Sequence, residues 1–163
     1  MTEFKKVGSL TDFNAVESLA HKIWNEHYAP IIGQAQVAYM LDKYQSFKAI
    51  RHQVREGAKY YIVKHDQKDI GYVSFEIKDE DAFMSKIYLL SSHRGKGIGK
   101  DCLRFVENYA KENGLRALSL SVNKKNLLAK SFYENNNFKI IEEVAVDIGG
   151  GFVMDDYYMR KAI

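Results

Sequence analysis

The chain has 163 residues, 24 Lys and Arg against 21 Asp and Glu for a formal net charge of +3, with 46% hydrophobic and 28% charged residues. That length suits a single domain, residues 1–163, with its own core, and the composition excludes a low-complexity or collagen-like chain. The small excess of Lys and Arg is scattered, which argues against nucleic acid as a partner, and no apolar run nears the roughly 20 residues that span a bilayer, so no membrane partner is expected.

Met1 to Leu10 lacks the apolar stretch of a secretory signal, so the expected setting is cytoplasmic. A single cysteine, Cys102, excludes an internal disulfide framework. Histidines 21, 27, 52, 65 and 93 form no pair at metal-ligand spacing, and no metal site is expected.

In chain order, an opening strand precedes a helix that Thr11 or Asp12 can cap, with Phe13, Val16, Leu19, Ala20, Ile23 and Trp24 on one apolar face. Pro30 is expected to end it. Further helical patterns run over about 34–44 and 46–56, the second closed by Gly57. The period then changes to two. Strands are expected over 60–63 and 70–78, joined by a polar turn at 66–69, and over 84–90 after the turn Asp79-Glu80-Asp81. A helix follows over 98–113, with Ile98, Cys102, Phe105, Val106, Tyr109 and Ala110 on one face. Then come a strand over 118–122, a helix over 126–136 with Leu127, Leu128, Ser131 and Phe132 inward, and two closing strands, 139–148 and 152–160, around Gly149-Gly150-Gly151. Such an order makes an α+β (mixed α/β) protein whose mostly antiparallel sheet of about seven strands is flanked by helices.

Between the 84–90 strand and the 98–113 helix lies Ser91 to Lys100, SSHRGKGIGK. Glycine lets a backbone approach a ligand closely, and the first N–H groups of a helix point at one spot with the positive end of its dipole. That is an anion cradle. Arg94, Lys96 and Lys100 add full charges suited to a pyrophosphate. The plainer alternative is a strand-to-helix turn that uses glycine for geometry alone. A P-loop is excluded because Asp101 follows Gly99-Lys100 and Arg94 stands where its first glycine belongs; a dinucleotide fingerprint lacks its third glycine.

What remains, Arg94-x-x-Gly97-x-Gly99, closely resembles the cofactor signature of the GNAT superfamily of N-acetyltransferases. Asn123 through Phe138 resembles a later motif of that family, with an asparagine after the strand, the pair Phe132-Tyr133, and Asn137 where glycine usually precedes the phenylalanine. The resemblance implies a GNAT-like sheet and acetyl-CoA as acyl donor. It further implies that Arg94, Gly95, Lys96, Gly97, Ile98, Gly99 and Lys100 hold the pyrophosphate, and that backbone groups of Tyr88, Leu89 and Leu90 contact the pantetheine, with the Leu89 N–H at the reacting carbonyl. Asn126 would contact the cofactor chain or simply cap its helix, and Tyr133 would protonate the leaving thiolate.

The acceptor implied is a primary amine, such as a small amine or polyamine. A lysine-like amine with pKa about 10.4 is neutral to roughly one part in a thousand at pH 7, so a base or a water chain is expected to take its proton. Glu76 is one candidate or else part of a solvated strand face, and Glu26, Asp79, Glu80, Asp81, Asp155 and Asp156 either attract a cationic amine or are plain surface charge. Trp24 and Tyr28, one turn apart, either line an acceptor pocket or pack the helix. Cys102, on an apolar helix face, reads as an inert core thiol. Alternatives are a protein or peptide N-acetyltransferase and an acyl-CoA-binding regulatory domain without turnover. The closing hairpin offers an edge for a homodimer.

Overall fold

In the computed structural model, which describes residues 1–163, the strands are β1 (Thr2–Lys6), β2 (Lys59–His65), β3 (Lys68–Lys78), β4 (Asp81–Leu89), β5 (Ala117–Asn123), β6 (Lys139–Gly149) and β7 (Phe152–Ala162). The helices are α1 (Leu10–His27), α2 (Ala29–Ile32), α3 (Gln34–Tyr44), α4 (Phe47–Arg55), α5 (Ile98–Glu112) and α6 (Leu127–Asn135). The strands form one mostly antiparallel sheet in the order β1-β2-β3-β4-β5-β7-β6. By internal packing the residues fall into two compact units, Met1–Glu76 with Lys86–Phe105 and Ile77–Ser85 with Val106–Ile163.

In the first unit α1 begins one turn before Asp12. The Asp12 N–H donates to the Ser9 hydroxyl, and the Ser9 and Gly8 N–H groups donate to the Asp12 carboxylate, each at 3.1 Å. This is a capping box with Ser9, not Thr11 or Asp12, as the cap. Burial pushes the Asp12 carboxyl up, but hydrogen bonds from Lys5, Ser9 and Gly8 outweigh it and hold the group well below the usual carboxylate range. Pro30 does not end α1 but sits in the first turn of α2, where its missing N–H costs nothing.

Two-residue alternation sorts the strand residues of this unit. β1 pairs with β2 and β2 with β3, both antiparallel, through a turn in which Asp66 and Gln67 take φ of 50° and 67°. Val63, Ile70 and Val73 pack with Ile98 and Cys102, and with the half-buried Phe4, Tyr61, Ile87 and Leu89. Tyr60 and Tyr72 carry buried hydroxyls that bond to Gln53 of α4 and to Gln45 at the end of α3.

In the second unit β4 pairs in parallel with β5 from Asp81 opposite Ala117 to Met84 opposite Leu120, and β5 pairs antiparallel with β7. Arg160 of β7 grips Asp81 with Nε and a terminal nitrogen, both at 2.9 Å. β6 and β7 form a long hairpin closed by Gly149, Gly150 and Gly151 at φ of 89°, 61° and 80°.

Only α6 departs in its inward face. Leu127 and Leu128 are 68% and 75% exposed and Ser131 is exposed, whereas Asn126 and Tyr133 are buried. The inward stripe is 126, 129, 130 and 133, so the fully buried places on this helix go to Asn126 and Tyr133 and not to the leucine pair.

Candidate active site

The loop after β4 is built in steps. The Leu90 N–H donates to the Ile70 carbonyl at 2.8 Å, Ser91–His93 makes one 3-10 turn, and the Arg94 N–H bonds to the Ser91 carbonyl at 3.3 Å. Gly95 and Gly97 then take φ of 76° and 78°, where a side chain is strained, although a Cβ at either would meet nothing within 4 Å. Gly99 lies inside α5 and takes no left-handed φ, so the conformational need expected of three glycines holds at two. The Asp101 N–H bonds to the Gly97 carbonyl at 3.2 Å. The N–H groups of Ile98, Gly99 and Lys100 lie ahead of it in the first turn, where a helix has no carbonyl to offer. Ile98 is buried and anchors the turn, while Lys96 and Lys100 are exposed. Left-handed glycines, orphan donors and two solvent-facing ammonium groups fit the pyrophosphate of a CoA thioester.

Arg94 is turned differently. One terminal nitrogen lies 3.3 Å from His27 Nδ1 and the other donates to the Leu89 carbonyl at 3.2 Å, while the Ser91 hydroxyl donates to Glu26 at 3.0 Å. The loop is therefore tied to the last turn of α1. Glu26, one of the acids expected to attract a cation, is engaged there.

Of the three residues at the end of β4 and just past it, Leu89 packs toward Ile98 and Cys102, Leu90 is hydrogen-bonded to β3, and Tyr88 joins an aromatic cluster. Its ring centroid lies 5.3 Å from Trp24, 5.9 Å from Tyr28 and 5.4 Å from Tyr72, and Trp24 stacks on Tyr28 at 4.4 Å. Trp24 is buried in this cluster, and Tyr28 and Tyr88 are half-buried. A residue that the sequence reading passed over fixes this stretch: a Cβ on Gly71 would lie 2.2 Å from the Tyr88 carbonyl oxygen and 3.1 Å from the Leu89 Cα. Only glycine permits that approach. An isolated glycine within a strand pattern was the available signal.

Lys86 was also missed, because nothing in the letters distinguishes a buried lysine. It donates to the Tyr44 carbonyl at 2.8 Å, to Gln53 at 3.0 Å and to the Tyr60 hydroxyl, and burial lowers its pKa to about 7. Cys102 is buried in the apolar cluster, and burial pushes its thiol up to about 12, an inert state.

In the second unit Asn126 caps α6, its Oδ1 accepting from the Ala129 N–H at 3.3 Å. Six residues after Leu127, Tyr133 is buried with its ring between Phe132 at 5.4 Å and Phe138 at 5.5 Å. The Phe138 N–H bonds to the Tyr133 carbonyl at 3.0 Å and the Asn137 N–H to Glu134 at 3.2 Å, with Asn137 at φ 71°. This Schellman ending, with Asn in the left-handed place, pins the tyrosine from its C-terminal side. Of the remaining acids, Glu80 lies 3.5 Å from Arg116, and Asp155 is 2.9 Å from Lys124, which also reaches Glu143 at 2.9 Å. Asp79 is exposed in its turn. Asp156 is 6% exposed and its Oδ1 has no hydrogen-bond partner. Glu76 is half-buried on β3.

The profile of the Acetyltransferase (GNAT) family matches residues 18–138. The chain belongs to this family. It is an N-acetyltransferase that takes acetyl-CoA as its donor, in keeping with the loop just described. The GNAT chain is 27% identical over 161 residues to the spermidine N(1)-acetyltransferase of Thermoplasma acidophilum, which covers 96% of this chain and 97% of that one. Its fold is similar to that of the PaiA N-acetyltransferase from T. acidophilum crystallised with coenzyme A, with TM-score 0.81, 24% identity and coverage of 100% and 99%. It is also similar to a GCN5-related N-acetyltransferase from Rhodopseudomonas palustris, with TM-score 0.83, 13% identity and coverage of 100% and 96%. No helix is long and apolar enough to cross a membrane.

Proposed function

We propose that this GNAT protein acts as one acetyltransferase domain, in the cytoplasm, and acetylates the primary amino group of a small amine of the polyamine class. The observation that carries this reading is the end-to-end similarity to a spermidine acetyltransferase, which includes the helical residues before Tyr60 as well as the donor loop. Acetyl-CoA supplies an activated acyl group on sulfur. In this reading the N–H groups at the start of α5, with Lys96 and Lys100, hold its pyrophosphate, and the backbone of Tyr88, Leu89 and Leu90 pairs with the pantetheine. The Leu89 N–H faces the carbonyl oxygen on which charge develops. Arg94 acts as a brace between the loop and α1, and Asn126 orders α6. Tyr133 offers a phenol, a group whose unperturbed pKa of about 10 suits giving a proton to a leaving thiolate.

A thiol-release assay with acetyl-CoA against diamines, polyamines, amino acids, aminoglycosides and peptides tests the reading. Turnover confined to di- and polyamines is the expected result. Preference for peptides would replace it with protein acetylation, and acetyl-CoA binding without turnover on any acceptor would leave a regulatory domain.

A further inference from the structure

The acetylation of a cationic amine needs a group that takes its proton, and neither the letters nor the family match names one. We propose that Asp156 receives the ammonium end of the acceptor and accepts its proton, an inference that rests on the amine-acetyltransferase reading. The first support is geometry among the acids expected to attract a cation, Glu76 on β3 being only half-buried. Glu26 is held by Ser91, Glu80 lies beside Arg116, Asp81 is gripped by Arg160, and Asp155 is bound to Lys124. Asp79 is solvated in a turn. Asp81 and Asp156 are the buried members of this set, and with Asp81 gripped by Arg160 only Asp156 combines burial with an unmatched oxygen, its Oδ1. An unpaired buried carboxylate disfavours the folded state unless a cation joins it.

The second support is position. Asp156 stands opposite Asn123, the last residue of β5, and Asn123 is three residues before the Asn126 cap of the helix that carries Tyr133. On β6 it stands opposite Val144. Val144 lines a cavity of about 520 Å³ together with Ser119, Ser121, Tyr158 and the Asp81–Arg160 pair. By strand alternation Tyr158 and Arg160 share Asp156's face of β7, although Asp156 does not itself line the cavity. Hydroxyl groups of Ser119, Ser121 and Tyr158 line its wall, and the acids of the Asp79–Asp81 turn outnumber Lys78 there, which suits a short, flexible polyamine chain.

The charged groups around Asp156 are few. Asp155 lies next to it on β7, and Lys124, just after β5, is shared between Asp155 and Glu143 of β6. Burial first, then Asp155, raises the Asp156 carboxyl to about 6 against the opposing effect of Lys124. A base titrating there is largely ionised at neutral pH and still a competent acceptor.

The step balances as follows. One proton passes from R–NH3⁺ to the Asp156 carboxylate, and the freed nitrogen lone pair forms the C–N bond as the C–S bond breaks. The second proton shed by nitrogen replaces the one that the Tyr133 hydroxyl gives to sulfur. One proton per turnover then leaves Asp156 for solvent.

Asp156→Asn, compared on an alkyl diamine and on an alkoxyamine that is already neutral at pH 7, separates the roles. The kcat/KM for the diamine should fall about 100-fold and that for the alkoxyamine less than about threefold, with acetyl-CoA affinity and the melting temperature no lower than in the wild type. Equal losses on both acceptors, or none, overturn the assignment while leaving amine transfer intact; a wild-type protein that acetylates no amine overturns both. Wild-type protein gives a readout free of any variant. Its kcat/KM for the diamine should rise through a group titrating near 6, and the alkoxyamine profile should lack that limb. Identical profiles overturn the proposal.

Discussion

Tyr133 and Lys86 show two ways in which one side chain is fixed by its surroundings. Tyr133→Phe keeps the ring contacts with Phe132 and Phe138 and removes the phenolic hydroxyl. We expect kcat to fall by about 10- to 100-fold with acetyl-CoA affinity within twofold, read from steady-state kinetics and calorimetry. Lys86 titrates near 7 in the folded chain and near 10.4 when unfolded. The unfolded chain thus holds more protons between those values, so this residue makes stability rise as pH increases from about 7 to about 10, by up to about 1 kcal/mol per unit. Lys86→Met should flatten that slope in urea titrations at several pH values. Neither Lys86 nor Asp156 could be singled out in the letters. Asp155 and Asp156 are identical neighbours that point to opposite faces of β7, and only the register with β5 and β6 decides which one meets Lys124.

At the scale of elements, period and caps made most boundaries legible. The loop before α5 was readable because left-handed glycines and clustered cations are written directly in sequence, and Cys102 was readable because Ile98 and Val106 share its face. α6 was not. It spans only nine residues, too few for an apolar stripe to outvote a buried asparagine cap and a buried tyrosine. Its ending was legible again, since Asn137 tolerates the left-handed turn that its φ of 71° shows. Asn137→Ala should therefore destabilise the protein by about 1 kcal/mol in chemical denaturation, and Asn137→Gly should not. The same pair should rank alike in activity if the turn sets the place of Tyr133.

For the whole molecule, the succession of helices and strands along the chain followed from the sequence, whereas the order of strands in the sheet and the division into two units did not, since β3, β4 and α5 each run through a boundary between those units. β6 ends the sheet order, and Ile140, Ile141 and Val146 on it are exposed. Two copies of β6 paired antiparallel about Glu143 would set Lys139 opposite Asp147 and Ile140 opposite Val146, with each Glu143 already held by its own Lys124. Sedimentation should show a dimer at micromolar concentration, and Ile141→Lys should shift it to monomer. The α1–α4 segment carries a different consequence. It leaves the sheet after β1 and returns at β2, and these two strands are direct neighbours, with Lys6 opposite Tyr61. Its two ends are therefore stapled side by side. Evolution can lengthen or shorten this helical segment as an insertion into a closed hairpin, provided the last turn of α1 keeps its ties to the donor loop through Glu26 and His27.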